Sequence, residues 1–295
     1  MKIFITGGSG LLGQYLNQEF SDYNIITTFN KHTGNCEKFN SLKLDLTDFA
    51  EVERVISSIK PDVIIHSAAY TSPVKNESIS PSFIYNINVK ATEKLALLSS
   101  RLNCRMIYIS TDLVYAGYRG SMLKEDAKLI PASLYAETKL MGEVKVKEFA
   151  GNFLILRLAL LYGFGLNHSV CHFQEIYRRL SNNEKVCLFT DQFRTPVSHK
   201  DASRLIKDLT MKNVKNEIIN VGGNQRTSRF ELGEILCKIA GFDKSLLVKT
   251  SMKNIPGYPA VEDVSLNTDK LKSFGIAARS IEENIKELIK ISINN

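Results

Sequence analysis

A tyrosine and a lysine whose spacing suits joint chemistry, Tyr135 and Lys139, lie in a stretch from Ser133 to Phe149 that reads as an α-helix. Side chains four residues apart leave the same face of a helix. The ammonium can therefore lower the pKa of the phenol, so that the phenol can share its proton near neutral pH. Because such pairs also occur on ordinary solvated helix faces, this one needs support from other motifs.

A threonine, Thr111, ends an apolar run in the sequence Ser110-Thr111-Asp112. Ligands of doubly wound sheets bind at the carboxyl ends of the strands, where this hydroxyl could hydrogen-bond a substrate carbonyl. Tyr135 would protonate the alkoxide that develops as hydride arrives, while Lys139 keeps the phenol acidic. The three residues predict a catalytic site; a strand-end threonine, a half-buried tyrosine and a surface lysine are the alternatives.

A glycine motif follows the first apolar run and reads Thr6-Gly-Gly-Ser-Gly-Leu-Leu-Gly13. Gly7 allows a tight turn out of a strand, Gly10 lets the backbone approach a pyrophosphate, and Gly13 lets the helix pack against the sheet. The anion would bind the N–H groups at the helix N-terminus, where the helix dipole favours it. The motif predicts dinucleotide binding, and a plain strand-to-helix turn is the alternative.

The end of the second predicted strand favours NADP over NAD. An acidic residue there would hydrogen-bond the 2′-hydroxyl of NAD, but the segment reads Thr28-Phe-Asn-Lys-His32. Lys31 can accommodate a 2′-phosphate instead. NADP is therefore the expected cofactor, with NAD possible; a solvated loop lysine is the alternative.

Two further segments follow predicted strands and could lie along the cofactor. Asp45 could accept a hydrogen bond from an adenine amino group, or it could cap the next helix together with Thr47. The small residues of His66-Ser-Ala-Ala-Tyr70 would let the backbone lie against the cofactor. His66 itself is expected to be buried rather than catalytic.

Short apolar runs alternate with helical patterns through the first half, which is typical of a doubly wound, Rossmann-type parallel sheet. The predicted strands lie near Ile3–Thr6, Asn24–Phe29, Leu42–Leu44, Asp62–Ser67, Arg105–Ser110 and Phe153–Leu158. The predicted helices are Leu11–Phe20, Asp48–Ile59, Phe83–Leu102 and Ser133–Phe149.

The pattern loosens after about residue 163. Helices are predicted at Val170–Leu180, Lys200–Met211, Arg229–Ile239 and Ile281–Ile291, with short strands at Val186–Leu188 and Glu217–Val221. We therefore predict an α/β protein. Residues 1–163 would form the dinucleotide-binding domain and residues 164–295 a smaller C-terminal substrate-binding lobe, with later segments returning to the first domain.

Composition excludes several other classes. The 295 residues are 44% hydrophobic, and the net charge of +7 comes from lysines and arginines spread along the chain without a basic run, which argues against nucleic acid. The five cysteines form no C-x-x-C pair, so neither a disulfide framework nor a metal site is expected. With no signal peptide and no membrane-length apolar stretch, we expect a soluble, cytoplasmic protein that uses no membrane partner.

These motifs resemble the extended short-chain dehydrogenase/reductase superfamily, and within it the dTDP-4-dehydrorhamnose reductase-like group. The resemblance covers most of the chain. Besides the glycine motif and the His66 segment, it rests on Leu44-Asp-Leu-Thr-Asp48, Tyr108-Ile-Ser-Thr-Asp112, Leu134-Tyr-Ala-Glu-Thr-Lys-Leu-Met-Gly-Glu143, Asp191-Gln-Phe-Arg-Thr-Pro196 and Asp263-Val-Ser-Leu-Asn-Thr268.

The resemblance implies NAD(P)H-dependent reduction of the 4-keto group of a nucleotide-linked 6-deoxy sugar, a step in making deoxysugars for surface polysaccharide. It implies that Thr111, Tyr135 and Lys139 form the catalytic triad and that Asp112 lies near the sugar. Arg194 could bind the pyrophosphate of the sugar nucleotide or form a salt bridge between the lobes. The cofactor contacts that it implies are Gly10, Leu11, Leu12, Asp45, Leu46, Ala68, Ala69 and Tyr70.

Departures from the group's pattern leave the sugar open. Leu113 replaces the glutamate that sugar-nucleotide dehydratases use as a base, which argues against a dehydratase. Leu160 replaces an aromatic residue expected to face the sugar, and residues 72–77 and Ala260 also depart from the usual sequence. A sugar-nucleotide epimerase and a non-catalytic partner like the regulatory subunit of methionine adenosyltransferase are the alternatives, and a homodimer is possible.

Overall fold

The computed structural model describes residues 1–71, 79–167, 170–255, 258 and 261–293. The unusual residues 72–77 and Ala260 lie outside these ranges. The strands are β1 Lys2–Thr6, β2 Asn24–Phe29, β3 Ser41–Lys43, β4 Val63–His66, β5 Arg105–Thr111, β6 Phe153–Leu158, β7 Leu161–Tyr162, β8 Val186–Phe189, β9 Phe193–Arg194, β10 Val197–Ser198, β11 Glu217–Val221, β12 Thr227–Ser228 and β13 Leu247–Thr250. The α-helices are α1 Leu11–Glu19, α2 Phe49–Ile59, α3 Pro81–Tyr85, α4 Ala91–Arg101, α5 Leu134–Phe149, α6 His172–Ser181, α7 His199–Met211, α8 Arg229–Ala240, α9 Asp269–Ser273 and α10 Ile281–Ile293.

Seven strands form the central sheet in the order β11-β6-β5-β4-β1-β2-β3, and every neighbouring pair is parallel. The order of strands reverses between β1 and β4: β2 and β3 follow on one side, and β5 and β6 on the other. The loop after β1 and the loop after β4 therefore lie side by side at the same edge of the sheet. This arrangement confirms the predicted α/β, Rossmann-type fold. Ligands of such sheets bind outside the carboxyl ends of the strands at this position.

Helices cover both faces of the sheet. Because side chains alternate along each strand, neighbouring residues of one strand join different cores. In β1, Ile3 and Ile5 join the core beneath α1 and α7, whereas Phe4 joins the core beneath α2 and α4. The strand therefore reads as a continuous apolar run instead of an alternating one. This burial fixes the register of β1, whose last residue, Thr6, leads into the glycine turn.

The predicted helix Phe83–Leu102 is divided into three parts. A π-helical stretch, Asn86–Lys90, lies between α3 and α4. π-Helical turns often mark functional positions. Here the wider turn contains Asn88, whose side chain hydrogen-bonds both backbone polar groups of Tyr70 in the loop after β4.

The chain after residue 163 is divided between the two parts of the molecule. Helix α7 packs on α1, and β11 joins the central sheet beside β6. The smaller lobe contains α6, α8 and α10 around the parallel pair β8 and β13, with its own apolar core. All five cysteines carry free thiols. Within the described ranges, no helix is long and apolar enough to span a membrane.

Candidate functional site

A cavity of about 740 Å³ lies at the carboxyl ends of the central strands and is closed on its far side by the smaller lobe. It brings together the glycine turn, the segment after β4, Thr111 and the face of α5 that carries Tyr135. The predicted site residues that line it are Gly7, Gly10, Leu11, Leu12, Gly13, Leu46, Ala68, Ala69, Thr111, Asp112, Tyr135, Lys139 and Arg194. Motifs far apart in the sequence thus share one cavity.

The glycine turn has no room for side chains. Gly7 has a φ of +71°, and a Cβ there would lie 2.7 Å from the Cα of Ala68. A Cβ on Gly13 would overlap the carbonyl oxygen of Gly7. Gly10 caps α1, and the first N–H groups of that helix have no partner within it. The turn therefore presents backbone donors to the cavity at close range.

Three predicted cofactor residues do not line the cavity. Lys31 is exposed, directly after Asn30, which does line it. Asp45 is also exposed, and its Oδ1 accepts hydrogen bonds from the backbone N–H and hydroxyl of Thr47 at 2.8 and 2.7 Å. These bonds hold its pKa below the ordinary value. The cap of α2 is instead Asp48, whose carboxylate accepts from the N–H of Glu51. Asp45 therefore stabilises only the turn before the helix, and its contact with adenine stays a prediction.

Tyr70 is held at the cavity's margin through its backbone. Its N–H donates to Oδ1 of Asn88 at 2.8 Å, and its carbonyl accepts from Nδ2 of Asn88 at 3.1 Å. The same amide donates to Thr138, whose hydroxyl donates to the carbonyl of Tyr135. Asn88 thus connects the loop after β4 with the helix that carries the candidate catalytic residues.

His66 is fully buried, which agrees with the expectation that it is structural. Its Nδ1 lies 2.7 Å from the hydroxyl of Thr6 and its Nε2 lies 3.0 Å from the hydroxyl of Thr92. Since Thr92 donates its own hydrogen to the carbonyl of Asn88, Nε2 must be the donor to Thr92. Burial lowers the pKa of His66 to about 3, so the imidazole is neutral.

Tyr135 faces the cavity from the first turn of α5, which begins after the capping hydroxyl of Ser133. Burial raises the pKa of its phenol, and interaction with the Thr111 hydroxyl opposes that rise. Thr111 donates to Oδ1 of Asp112 at 3.2 Å and accepts from the N–H of Leu113. The lowered pKa that the spacing of Tyr135 and Lys139 predicted is therefore not found, because burial outweighs it. The phenol keeps its proton at neutral pH, as a proton donor must.

Lys139 is buried one turn after Tyr135, and its Nζ lies 4.0 Å from the centroid of the Tyr108 ring. Burial lowers its pKa to about 7, and the carboxylate of Glu143, one turn further along α5, opposes the change. Glu143 is itself paired with the buried guanidinium of Arg157, at 2.8 and 3.0 Å. Lys139 therefore titrates near neutral pH, so that both its charged and its neutral form are accessible.

The end of the cavity nearest the smaller lobe is cationic. Nε of Arg194 lies 3.4 Å from Oδ2 of the buried Asp112, so this pair joins β9 to the end of β5. Arg229, the first residue of α8, donates to Oε1 of Gln192 at 3.2 Å. Burial and the neighbouring Arg194 lower the pKa of Arg229 to about 10. Two guanidinium groups thus share one carboxylate, and the excess positive charge faces the cavity.

Arg194 therefore does form the ion pair between lobes that was one of its two predicted roles. Burial raises the pKa of Asp112, and the two arginines oppose that rise. Oδ2 of Asp112 has no hydrogen-bond partner among the described residues. An oxygen of this kind is free to accept a hydrogen bond from a ligand hydroxyl.

Sequence reasoning missed several cavity residues. Arg229, His172 and His199 line the cavity, yet no motif marked them, because the fold brings them there from the smaller lobe and from α7. Gly8, which does not line the cavity, also has no room for a side chain, because a Cβ there would overlap the hydroxyl of Thr27. The predicted Leu160 does line the cavity, as does Leu113. Across the described part of the chain, no group of three or more metal-ligating side chains occurs.

The family of the chain follows from comparison with known proteins. The RmlD substrate binding domain family matches residues 1–293, and the chain belongs to this family. The dTDP-4-dehydrorhamnose reductase of Aggregatibacter actinomycetemcomitans is 28% identical over 258 residues, which are 86% of this chain and 82% of the relative. The expected resemblance, and with it the class of NAD(P)-dependent oxidoreductases, is confirmed.

A second kind of relative is equally similar. Methionine adenosyltransferase 2 subunit beta from Xenopus laevis is 28% identical over 284 residues, which are 95% of this chain and 84% of the relative. Among solved structures, a dTDP-4-dehydrorhamnose reductase from Clostridium acetobutylicum has a TM-score of 0.85 and 25% identity, covering 99% of this chain and 100% of that chain. The family is therefore shared by proteins of more than one function.

Proposed function

We propose that this protein reduces the 4-keto group of a nucleotide-linked 6-deoxy sugar with NADPH. One observation carries the proposal: Thr111, Tyr135 and Lys139 line the same cavity as the glycine turn, with two arginines at its far end. A cofactor site, a proton donor and an anion site would then lie around one cavity. This is the arrangement that reduction of a carbonyl in a nucleotide-linked substrate requires.

The residues present fit a dinucleotide. Side chains are excluded at Gly7 and Gly13, and the N-terminus of α1 offers backbone donors to a pyrophosphate. A nicotinamide cofactor supplies the hydride when it is bound. Lys31 would accept a 2′-phosphate at the exposed end of β2, which favours NADP, with NAD as the second choice. Leu46, Ala68 and Ala69 would line the path between the two ends.

The proton comes from Tyr135. Its raised pKa keeps the phenol protonated until a substrate oxygen becomes basic. The hydroxyl of Thr111 can turn from Asp112 toward the same oxygen, because a hydroxyl rotates freely about its C–O bond. A positive charge on Lys139 favours the phenolate that remains after the transfer. Tyr135 and Thr111 thereby act on the one oxygen that gains charge, and Lys139 acts through Tyr135.

The substrate's anionic part would bind at the cationic end. Arg194 and Arg229 have one carboxylate between them, so a diphosphate would complete the charge balance there. The free oxygen of Asp112 would accept a hydrogen bond from a sugar hydroxyl. Leu113 and Leu160 give the neighbouring wall an apolar surface, which suits the methyl group of a 6-deoxy sugar.

A regulatory role is the second candidate, because methionine adenosyltransferase 2 subunit beta is as similar to this chain as the reductases are. A sugar-nucleotide epimerase would use the same three catalytic residues but would return the hydride to its substrate. The geometry favours the reductase over the regulatory role, since Thr111, Tyr135 and Lys139 all line the cavity. A role in surface polysaccharide synthesis, a cytoplasmic location and a homodimer stay predictions.

The test is NADPH absorbance with a panel of nucleotide-linked 4-keto-6-deoxy sugars that a dehydratase generates in the same tube. Consumption of NADPH that depends on both the sugar and this protein would support the reductase. Cofactor that co-purifies and shows no net oxidation during sugar turnover would indicate the epimerase. Binding of NADPH without any turnover, together with a stable complex with another protein, would indicate the regulatory role.

A further inference from the structure

His199 is a buried histidine in the cavity wall to which the proposed chemistry gives no role. It begins α7, directly after β10, and only 1% of its surface is exposed. Even so, it is one of the residues that line the cavity. Because buried polar groups in proteins generally have partners, each of its ring nitrogens needs an explanation.

Contacts within the protein fix the orientation of the His199 ring. Its Nδ1 lies 2.8 Å from the carbonyl oxygen of Tyr162, and its face stacks on Tyr15 with ring centroids 5.7 Å apart and an angle of 17°. Tyr15 is itself anchored, since its hydroxyl donates to the carbonyl of Phe164 at 2.8 Å. Gly163 leaves the space beside Nδ1: its φ is +137°, and a Cβ there would lie 3.3 Å from that nitrogen.

The same contacts settle the tautomer. A carbonyl oxygen can only accept, so Nδ1 must carry the hydrogen. Burial lowers the pKa of His199 to about 4, which keeps the ring neutral at physiological pH. Nε2 is therefore a bare acceptor. Within the described ranges it has no hydrogen-bond donor in the protein, although the residue reaches the cavity wall.

The position of His199 indicates which part of a ligand it can meet. Its helix follows β10, which pairs with β7 just beyond β6. That is the half of the sheet that carries Thr111, whereas an adenine ring would lie at the other half, near Asn30. Only the reactive half of a dinucleotide is expected on this side. Of the donors there, the ribose hydroxyls would lie beside Tyr135 and Lys139 on the face of α5 that lines the cavity, which leaves the carboxamide for the opposite wall.

We propose that Nε2 of His199 accepts a hydrogen bond from the carboxamide N–H of the nicotinamide ring, and so helps to select a cofactor that carries an amide. This inference rests on the proposed function, because it needs a nicotinamide dinucleotide in the cavity. It adds a side-chain contact from α7, outside the glycine motif and the catalytic helix. The contact orients the ring that must face the substrate.

The inference is tested by binding, without turnover. Dissociation constants are measured by calorimetry for NADP⁺ and for its 3-acetylpyridine analogue, whose acetyl group keeps the carbonyl but has no N–H. The native protein should bind NADP⁺ about tenfold more tightly than the analogue, the range expected for one buried hydrogen bond. The ratio of the two constants isolates the amide from the rest of the ligand.

Two variants separate the two ring nitrogens. His199→Asn places an amide near the position of Nδ1, so it can still donate to Tyr162 but has no acceptor where Nε2 was. His199→Gln places an amide oxygen near the position of Nε2. We expect the preference for NADP⁺ to fall about fivefold or more in the Asn variant, with the affinity for the analogue unchanged, and to be largely kept in the Gln variant.

Equal losses of affinity for both ligands in His199→Asn would overturn the inference, since they would show that His199 only supports the fold of the cavity. An unchanged ratio in that variant would overturn it as well. Failure of the native protein to bind NADP⁺ or NAD⁺ at all is a different result. It would overturn the proposed function, and the carboxamide contact with it.

Discussion

Oδ2 of Asp112 lies 3.4 Å from Nε of Arg194, and both side chains are buried. Asp112 follows Thr111 at the end of a central strand, whereas Arg194 belongs to a short strand of the smaller lobe. The pair therefore joins the two parts of the molecule next to the candidate catalytic threonine. Among the described residues, Arg229 has no carboxylate of its own, which makes this end of the cavity cationic.

Arg194→Ala should weaken the binding of dTDP by about tenfold or more, because a charged hydrogen bond to a phosphate is lost. Binding of NADP⁺ should change little. Calorimetry with each ligand measures both. Arg178→Ala is the matched control, since Arg178 is an exposed arginine paired with Glu175 on the smaller lobe. Equal affinity for dTDP in the native protein and in Arg194→Ala would rule out the anion-binding role.

Lys31→Ala should reduce the affinity for NADP⁺ roughly fivefold and leave the affinity for NAD⁺ unchanged, since only the 2′-phosphate is expected to meet this side chain. Fluorescence titration with NADPH and NADH gives both constants. Lys60→Ala, beyond the far end of α2, serves as the control. A native protein that prefers NADH would show that the cofactor assignment is wrong.

Gly13→Ala should lower the free energy of unfolding by about 1–3 kcal/mol or more, because the new methyl group would overlap the carbonyl of Gly7. Urea denaturation measures the change. Gly151→Ala is a suitable control: the nearest atom to a Cβ there is the Ser100 hydroxyl oxygen at 3.6 Å, an ordinary contact. Similar stability of the two variants would contradict the described packing of the glycine turn.

Lys139→Met should raise the free energy of unfolding near pH 7 by on the order of 2 kcal/mol while abolishing turnover. The folded-state pKa of Lys139 is about 7, well below the ordinary value of 10.5. Between these values the unfolded chain holds a proton that the folded chain does not, so the native protein gains stability as pH rises. The advantage of the Met variant should therefore shrink from about pH 7 to about pH 10.

Urea unfolding of the native protein and Lys139→Met at both pH values checks this prediction. Lys147→Met, an exposed position on the same helix, should show no comparable gain. An advantage of Lys139→Met that is the same at both pH values would mean that the ammonium is not held at a lowered pKa.

The fold was predictable because its signals are local. The apolar run of β1, the glycine turn after it and the amphipathic helices each carry their own pattern, and the parallel sheet follows from their order. The helix Phe83–Leu102 was predicted as uninterrupted because a π-helical stretch has no sequence signature. Asn88 lies in that wider turn and hydrogen-bonds Tyr70, a contact between segments that no periodicity reveals.

The site was predictable where a motif lies at a strand end, as with Thr111, or on one helix face, as with Tyr135 and Lys139. Arg229 and His199 could not be found in this way. Both come from helices that reach the cavity only after the chain has crossed between the lobes. The lowered pKa of Lys139 also depends on tertiary burial, which the spacing in α5 does not encode.

Tyr135→Phe removes the proposed proton donor, and its effect is followed by NADPH oxidation and NADPH binding on the same preparations. With the nucleotide-linked 4-keto sugar that the native protein reduces, we expect turnover to fall at least about a hundredfold, the usual contribution of a positioned proton donor. The affinity for NADPH should stay within about twofold of the native value, because the ring is kept. Turnover near the native rate in Tyr135→Phe would contradict the account, since the proton would then come from another group.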